Sequence, residues 1–151
     1  MSEIDFREAF KKGCICLHLE SDSKVGVIKE MIDMLVAAGQ ITDRAEVLRA
    51  VLEREDKMST GMQYGVAIPH GKTGAVNDLV TVFALKNEGI DFDSIDGTLS
   101  KIFIMTISSI NRTGPHIKFL SGISKLLNSE SVRKQLLNAQ SKEEIIEIMT
   151  L

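Results

Sequence analysis

Among the three histidines of the chain, His70 has the setting that best suits chemistry. It follows the apolar residues 66–68 and Pro69, and it precedes residues 71–74, a glycine-containing, basic stretch that is predicted to form a flexible turn. Proline lacks a backbone N–H and is typical of the end or the edge of a strand. Gly71 can adopt a positive φ and leaves room beside the imidazole. The pattern predicts an imidazole at a strand end that presents a ring nitrogen to a partner, with an ordinary loop histidine as the alternative.

Two further side chains could bind an anion such as a phosphoryl group. His116 follows Gly114-Pro115 in the first turn of a predicted helix, where free N–H groups and the helix dipole attract anions. The same dipole disfavours imidazolium, so we expect His116 to be a neutral hydrogen-bond partner. Arg54 carries a guanidinium, which makes paired hydrogen bonds to phosphoryl groups. The alternative for His116 is an ordinary exposed polar residue at the start of a helix. The alternative for Arg54 is a solvated arginine beside Glu53 and Glu55.

Cys14, Cys16 and His18 alternate along a predicted strand and could share one face, which permits a metal site. A disulfide between cysteines this close in sequence would be strained. Small thiols are often plain core residues, and this interpretation is favoured over the metal site. The chain has no Walker loop, no dinucleotide-binding glycine motif, no zinc-protease motif and no serine-hydrolase elbow. We therefore predict no metal and no cofactor.

Hydrophobic periodicity predicts the elements that position these residues. In the predicted helices, apolar residues recur every three or four positions after cap residues such as Ser23 and Asp43. In the predicted strands, β-branched and aromatic residues are frequent. Helices are predicted between residues 21–39, 42–56, 114–127, 131–139 and 141–149, and strands at 14–19, 66–68, 79–85, 90–92 and 101–108. This order favours a mixed sheet with helices on its faces. Neither a linker nor a repeat divides the chain, so one domain over residues 1–151 is expected.

Composition narrows the class of function. The chain has 151 residues, 44% of them hydrophobic, and a formal net charge of -3 without a densely basic segment. A nucleic-acid surface and an anionic membrane surface are therefore disfavoured. No apolar stretch is long enough to span a bilayer, so direct membrane insertion is not expected. The first residues lack the pattern of a signal peptide, and a cytoplasmic location is expected.

Taken together, several motifs resemble one bacterial family. They are Arg54-Glu55, Ser59-Thr60-Gly61, the run 65–71 containing Ala-Ile-Pro-His, the stretch 89–92, Asp96-Gly97, and His116 with Leu120-Ser121. This combination resembles enzyme IIA of the phosphotransferase system, in the fructose/mannitol class that includes the nitrogen-regulatory IIA proteins. The resemblance covers nearly the whole chain from about residue 15 onward. The strand at residues 14–18 is its least typical part, and position 71 is often alanine in sugar-type members.

The resemblance implies an α/β (α+β type) sandwich, with a mixed β-sheet flanked by helices on both faces. It also implies phosphorylation of His70, with His116 and Arg54 lining the same pocket. A histidine with a pKa near 6.5 is largely neutral at pH 7, as a phosphate acceptor must be. The implied partners are the histidine phosphocarrier protein as donor, and a IIB domain of a sugar permease or a regulatory target as recipient.

Three functions stay open at the level of sequence. The first is a sugar-uptake IIA subunit that passes phosphate to a separate IIB protein. The second is a nitrogen-type regulatory module, which the run 69–72 and the absence of a fused transport portion mildly favour. The third is a degenerate family member without phosphotransfer, or a metal-binding protein that uses Cys14, Cys16 and His18.

Overall fold

The computed structural model describes residues 14–111 and 113–150, in which one β-sheet is covered by helices. The strands are β1 (Cys14–Cys16), β2 (Val66–Ala67), β3 (His70–Thr73), β4 (Val80–Ile90) and β5 (Ser100–Ser109). The helices are α1 (Lys24–Ala37), α2 (Arg44–Lys57), α3 (Thr113–Leu127), α4 (Glu130–Leu137) and α5 (Lys142–Met149). Each of these elements lies at or close to a predicted segment except β3, which was predicted as a flexible turn.

The sheet is mixed, as expected from the order of elements. The two long strands β4 and β5 pair antiparallel at its centre, while β1 runs parallel to β4. Both β2 and β3 run parallel to β5 on its other side. Ile90, the first residue of the piece predicted at 90–92, is the last residue of β4 and follows an irregular stretch after Leu85, in which Gly89 has a φ of 75°. The separate strand predicted there is wrong, because the chain leaves the sheet after Ile90, where the side chain of Asp91 accepts a hydrogen bond from the Asp93 N–H.

Strands β2 and β3 form one interrupted edge of the sheet. Val66 pairs with Ile102 and His70 pairs with Thr106, so the register along β5 is the same before and after the break. The break falls at Pro69, which has no N–H to donate, although its carbonyl accepts a hydrogen bond from the Thr106 N–H at 3.0 Å. His70 therefore begins a new strand, and the turn predicted for residues 71–74 is wrong because pairing with β5 extends the backbone there.

Two apolar layers, one on each face of the sheet, account for the stability of this arrangement. Helices α1 and α2 pack on one face, against side chains such as Val82, Phe103 and Met105. Helices α3, α4 and α5 pack on the other face, against Phe83, Ile104 and their neighbours. Burial of apolar surface on both faces is the main favourable contribution to folding. The predicted α/β sandwich with helices on both faces is confirmed.

Local hydrogen bonds fix where the helices begin. The side chain of Ser23 accepts from the Gly26 N–H at the start of α1, and Asp43 accepts from the Glu46 N–H at the start of α2. Both caps match the sequence prediction. The start of α2 matters for the site, because this helix lies against β3 and carries Arg54 near its C-terminal end.

Gly71 allows β3 and α2 to approach closely. A Cβ atom at this position would lie 3.2 Å from the carbonyl carbon of Ala50 and 3.2 Å from the nitrogen of Val51. The positive φ values are found at other glycines, such as Gly65 and Gly89. Gly71 does not use its capacity for a positive φ, and close packing of the two backbones is the physical reason for a glycine at this position.

Candidate functional site

His70 is the first residue of β3, and a backbone hydrogen bond fixes its ring. The half-buried imidazole donates from Nδ1 to the carbonyl oxygen of Ile68 at 2.9 Å. A carbonyl oxygen only accepts, so in the neutral ring the proton resides on Nδ1 and the lone pair on Nε2. The strand end thus supplies an imidazole with a defined tautomer and one basic, nucleophilic nitrogen.

The surroundings of His70 favour its neutral form. Burial lowers the pKa of His70 below its ordinary value of 6.5, and the charges of Arg54 and Lys72 lower it further. The hydrogen bond to Ile68 and the charge of Glu55 raise the pKa and only partly offset these effects. The ring is therefore mostly unprotonated at neutral pH, which is the state in which Nε2 can act as a nucleophile.

His116 contacts the ring of His70 from the interior. The two ring centroids are 5.7 Å apart at an interplanar angle of 73°, an edge-to-face arrangement. His116 is only 1% exposed, and its ring nitrogens bind two hydroxyls of β5, Thr106 at 2.9 Å and Ser108 at 2.7 Å. The alternative of an exposed polar residue at a helix start is therefore wrong for His116.

Burial is the main reason that His116 is neutral. It lowers the pKa of His116 to about 4, with smaller contributions from the charges of His70 and Lys72. The sequence predicted a neutral His116 because of the helix dipole. In the structure the main cause is burial. Because hydroxyls can either donate or accept, Thr106 and Ser108 satisfy both nitrogens of a neutral ring.

Arg54 lies in a cleft between α2 and β3. The cleft has a volume of about 420 Å³ and is lined by eight residues, of which Ala50 and Gly71 are neither charged nor polar and His70 is the one histidine. The charged side chains of the lining are Arg49, Glu53, Arg54, Lys57 and Lys72. Arg54 also donates from Nη1 to the carbonyl of Met58 at 2.8 Å, which keeps it at the end of α2. The cleft thus presents several cations beside the nucleophilic imidazole.

The three predicted residues are not all in this cleft. Its lining contains Arg54 and His70, whereas His116 lies behind the His70 ring, on the side of the hydroxyls of β5. His116 can therefore orient His70, but in this arrangement both of its ring nitrogens already have partners. Direct donation from His116 to a bound anion would require one of these hydrogen bonds to break.

Sequence reasoning missed the hydroxyls of β5 and the buried carboxylate of Glu55. Thr106 and Ser108 continue the alternation of Ile102 and Ile104 on one face of β5, so the change from apolar to hydroxyl side chains was a usable signal. Glu55 lies one turn after Val51 on the apolar side of α2 and is 7% exposed. A carboxylate at that position indicates specific partners, because burial of an unpaired charge is costly.

The residues considered for a metal site do not form one. Strand β1 ends at Cys16, two residues before His18, and both cysteines are free and half-buried. Burial raises the pKa of each thiol. Within residues 14–111 and 113–150, no group of three or more histidine, cysteine and acidic side chains is arranged to hold a metal ion. None of the helices that the structure describes is long and apolar enough to cross a membrane.

Comparison with known proteins gives several relatives along most of the chain. A fructose-specific EIIABC component of Bacillus subtilis is 39% identical over 142 residues, which are 94% of this chain but 22% of that protein. A fructose-specific EIIA component of Haloferax volcanii is 39% identical over 84% of this chain and 82% of its own length. A nitrogen regulatory protein of Bradyrhizobium diazoefficiens is 30% identical over 85% of this chain and 86% of its own.

Solved structures share the fold. The nitrogen regulatory protein IIA-Ntr of Neisseria meningitidis superposes with a TM-score of 0.85 at 29% identity, over 92% of this chain and 94% of that one. Enzyme IIA for mannitol of Escherichia coli, solved in complex with phosphorylated IIB, gives a TM-score of 0.75 at 25% identity, over 89% and 92% of the two chains.

The family model described as "Phosphoenolpyruvate-dependent sugar phosphotransferase system, EIIA 2" matches residues 8–151. This match spans nearly the whole chain and includes the cleft, both histidines and the strands that hold them. The chain belongs to the EIIA 2 family of the phosphoenolpyruvate-dependent sugar phosphotransferase system.

Proposed function

We propose that the protein is a phosphocarrier in which Nε2 of His70 accepts a phosphoryl group from the phosphohistidine of the histidine phosphocarrier protein. The observation that carries this proposal is the hydrogen bond from Nδ1 of His70 to the Ile68 carbonyl at 2.9 Å. It leaves a neutral ring whose free lone pair is on Nε2, beside a cleft that contains Arg54. Residues 1–151 are proposed to form one domain, in line with the family match to residues 8–151.

In the proposed step, the lone pair of Nε2 attacks the phosphorus atom. A new P–N bond forms as the P–N bond of the donor breaks, and its electron pair returns to the donor imidazole. Positive charge grows on the His70 ring during this step. The Ile68 carbonyl, which accepts a hydrogen bond from Nδ1–H, stabilises that charge. The phosphoryl group brings up to two negative charges, which Arg54 and Lys72 offset. Phosphoryl transfer depends chiefly on such positioning and charge stabilisation.

His116 is proposed to assist without becoming phosphorylated. Its nitrogens are bound to Thr106 and Ser108, and its ring packs at an angle of 73° against His70. A buried neutral ring in this position limits rotation of His70 and adds no positive charge behind the nucleophile. His116 is therefore proposed to assist by holding the His70 ring in its productive orientation. Orientation of a reacting group contributes a large part of catalytic rate enhancements.

Two destinations for the phosphate remain as candidates. Transfer to a IIB domain is supported by the 39% identity to two fructose-specific components and by the likeness to a IIA protein solved with phosphorylated IIB. A regulatory role is supported by the nitrogen regulatory relative and by the TM-score of 0.85 with IIA-Ntr. A cytoplasmic location, expected from the sequence, stays a prediction, as does phosphotransfer without a metal or cofactor.

Reconstitution tests the proposed acceptor. The protein is incubated with phosphoenolpyruvate, enzyme I and the histidine phosphocarrier protein, and acid-labile phosphate is mapped by mass spectrometry. We expect phosphate on His70, none on His70→Ala, and normal labelling of His18→Ala, which removes a histidine that does not line the cleft. Phosphate on His18, or undiminished labelling of His70→Ala, would refute the proposal.

The destination is tested by adding purified IIB domains to the phosphorylated protein. Transfer to a fructose-type IIB at a rate close to that of a fructose-specific IIA would establish the transport role. The regulatory role would be established by two results together. Phosphate would stay on His70 in the presence of several IIB domains, and a partner protein would bind only the phosphorylated or only the unphosphorylated form. His70→Ala is the control in both assays, because it cannot carry phosphate between the proteins.

A further inference from the structure

The buried carboxylate of Glu55 is held by three donors from two other parts of the chain. The backbone N–H of Thr60 donates to Oε2 at 2.8 Å, and the hydroxyl of Thr60 donates to Oε1 at 2.5 Å. The ammonium of Lys24, at the start of α1, lies 2.7 Å from Oε2 and also pairs with Asp93 at 3.2 Å. Both oxygens of Glu55 are therefore satisfied, and the carboxylate fixes the position of Thr60.

Thr60 is connected in turn to the active histidine. The N–H of Ile68 donates to the Thr60 carbonyl at 3.0 Å, and the Ile68 carbonyl accepts from Nδ1 of His70 at 2.9 Å. Thr60 is 3% exposed, so water cannot readily replace its partners. The carbonyl that fixes the His70 tautomer thus belongs to a residue whose own N–H is anchored, through Thr60, to Glu55.

We propose that Glu55 is a positioning residue which, through Thr60 and Ile68, holds His70 in the Nδ1–H tautomer and so directs phosphate to Nε2. The choice of Nε2 rests on the proposed function, whereas the tautomer is a property of the unphosphorylated protein. A free imidazole populates both tautomers, so a fixed carbonyl is needed to select one of them. The neighbouring Pro69 has no N–H with which to hold this segment, which increases the importance of the Thr60 contact.

A merely structural role for Glu55 makes a different prediction. An ion pair that only joins α1 to α2 would change the free energy of unfolding but not the tautomer of a histidine in the folded protein. The ¹⁵N chemical shifts of the His70 ring separate the two roles, because they report which nitrogen carries the proton. The rate of His70 phosphorylation is the second measurement, and it depends on the concentration of the reactive tautomer and on its orientation.

The experiment uses four variants of the full chain. Thr60→Val removes the hydroxyl that binds Glu55, and Thr60→Ser restores it. In the wild type, the two donors of Thr60 each bind a different oxygen of the Glu55 carboxylate. Glu55→Gln has only one side-chain oxygen, so it can replace only one of these two acceptors. Glu46→Gln is the matched control, since it also neutralises a carboxylate of α2 but one that binds Arg49 instead.

We expect His70 of the unmodified protein, Glu46→Gln and Thr60→Ser to be almost entirely in the Nδ1–H form. Thr60→Val and Glu55→Gln should show a mixture of tautomers and roughly tenfold slower phosphorylation, because the ring is then less often in the reactive tautomer and orientation. An unchanged tautomer in the folded Thr60→Val or Glu55→Gln protein would overturn the proposal, and if one of them does not fold, the other decides. Absence of phosphate on wild-type His70 would refute the proposed function alone, because the ring shifts would still test the role of Glu55.

Discussion

Two histidines in contact have different chemistry because their hydrogen-bond partners differ. His70 donates to a backbone carbonyl, which fixes its tautomer and leaves Nε2 basic. His116 has a hydroxyl at each nitrogen and is almost fully buried, so it is neutral and has no free lone pair. Sequence identified both residues by type and spacing, but their roles depend on the partner atoms. These are a carbonyl two residues before His70 and, for His116, two hydroxyls of β5.

The buried state of His116 predicts that stability depends on pH. The unfolded chain protonates this histidine near pH 6.5, whereas in the folded protein its pKa is lowered to about 4. Between these values the unfolded state binds more protons, so stability is lost as the pH falls. We expect a loss of about 2 kcal/mol from this group between pH 7 and pH 5, measured by urea unfolding.

His116→Asn is the control for this pH dependence. It removes the titrating ring while keeping a polar side chain near the hydroxyls of Thr106 and Ser108. The variant will be less stable at pH 7, but its stability should change less than that of the wild type between pH 7 and pH 5. Parallel pH profiles for the two proteins would contradict the assignment of this dependence to His116.

Arg54 lines the cleft, and its charge acts on His70, the proposed acceptor. We expect Arg54→Ala to slow both the uptake and the release of phosphate by roughly a hundredfold, because a preorganised charge-assisted donor is lost. Arg54→Lys should recover only part of the rate, since a lysine ammonium cannot make the paired hydrogen bonds of a planar fork. Rapid-quench transfer rates in both directions measure this effect, and Arg133→Ala, a cation on α4, serves as the control. Equal rates for Arg54→Ala and wild type would show that Arg54 is only a solvated side chain.

At the scale of elements, the helices were predictable from the sequence, whereas strand β3, which begins at His70, was not. Caps such as Ser23 and Asp43 act within three residues, so local sequence contains all the information that they need. Strand β3, in contrast, is polar and glycine-containing, and it is extended because it pairs with β5, more than thirty residues away along the chain. Such long-range pairing leaves no local pattern in the sequence.

The contact between β3 and α2 predicts a contrast between two glycines. In Gly71→Ala the new Cβ would lie 3.2 Å from backbone atoms of α2, whereas in Gly74→Ala the nearest atom is the Ile110 Cδ1 at 3.8 Å. Both substitutions reduce the entropy of the unfolded chain equally, so this effect cancels in the comparison. We expect Gly71→Ala to be less stable than Gly74→Ala by about 1 kcal/mol.

Chemical denaturation of the two variants provides the measurement. If α2 moves outward to accept the new methyl group, Arg54 moves with it, and Gly71→Ala should also take up phosphate more slowly than Gly74→Ala. Equal stability of the two variants would show that α2 and β3 are not held as closely as this packing requires.

At the scale of the whole molecule, the site is a junction of distant segments. Helix α2 supplies Arg54 and Glu55, the edge strand supplies His70, and α3 supplies His116. The sequence motifs indicated most of these residues, because their types suit phosphate chemistry. The cleft and the depth of His116 could not be predicted in the same way, since both follow from how α2 and α3 pack on opposite faces of the sheet.

The charge of the molecule and the charge of the cleft have opposite signs. The chain carries a formal net charge of -3, yet four of the five charged side chains that line the cleft are cations. A localised positive field attracts a phosphorylated partner even when the whole protein is anionic, and salt screens this attraction over about 10 Å at 0.1 M ionic strength. The second-order rate of phosphate uptake should therefore fall as salt is added.

Lys72 is the side chain that tests this electrostatic effect, because it is exposed in the cleft next to His70. We expect Lys72→Gln to lower the uptake rate severalfold at low salt and to have little effect above about 0.5 M salt, where the field is screened. Lys134→Gln is the control, since Lys134 pairs with Glu130 on α4 and does not line the cleft. Stopped-flow measurements across a salt series would provide the rates. Equal salt dependence in the wild type and Lys72→Gln would mean that the field of Lys72 does not steer the donor, leaving uptake to depend on contacts made after the two proteins meet.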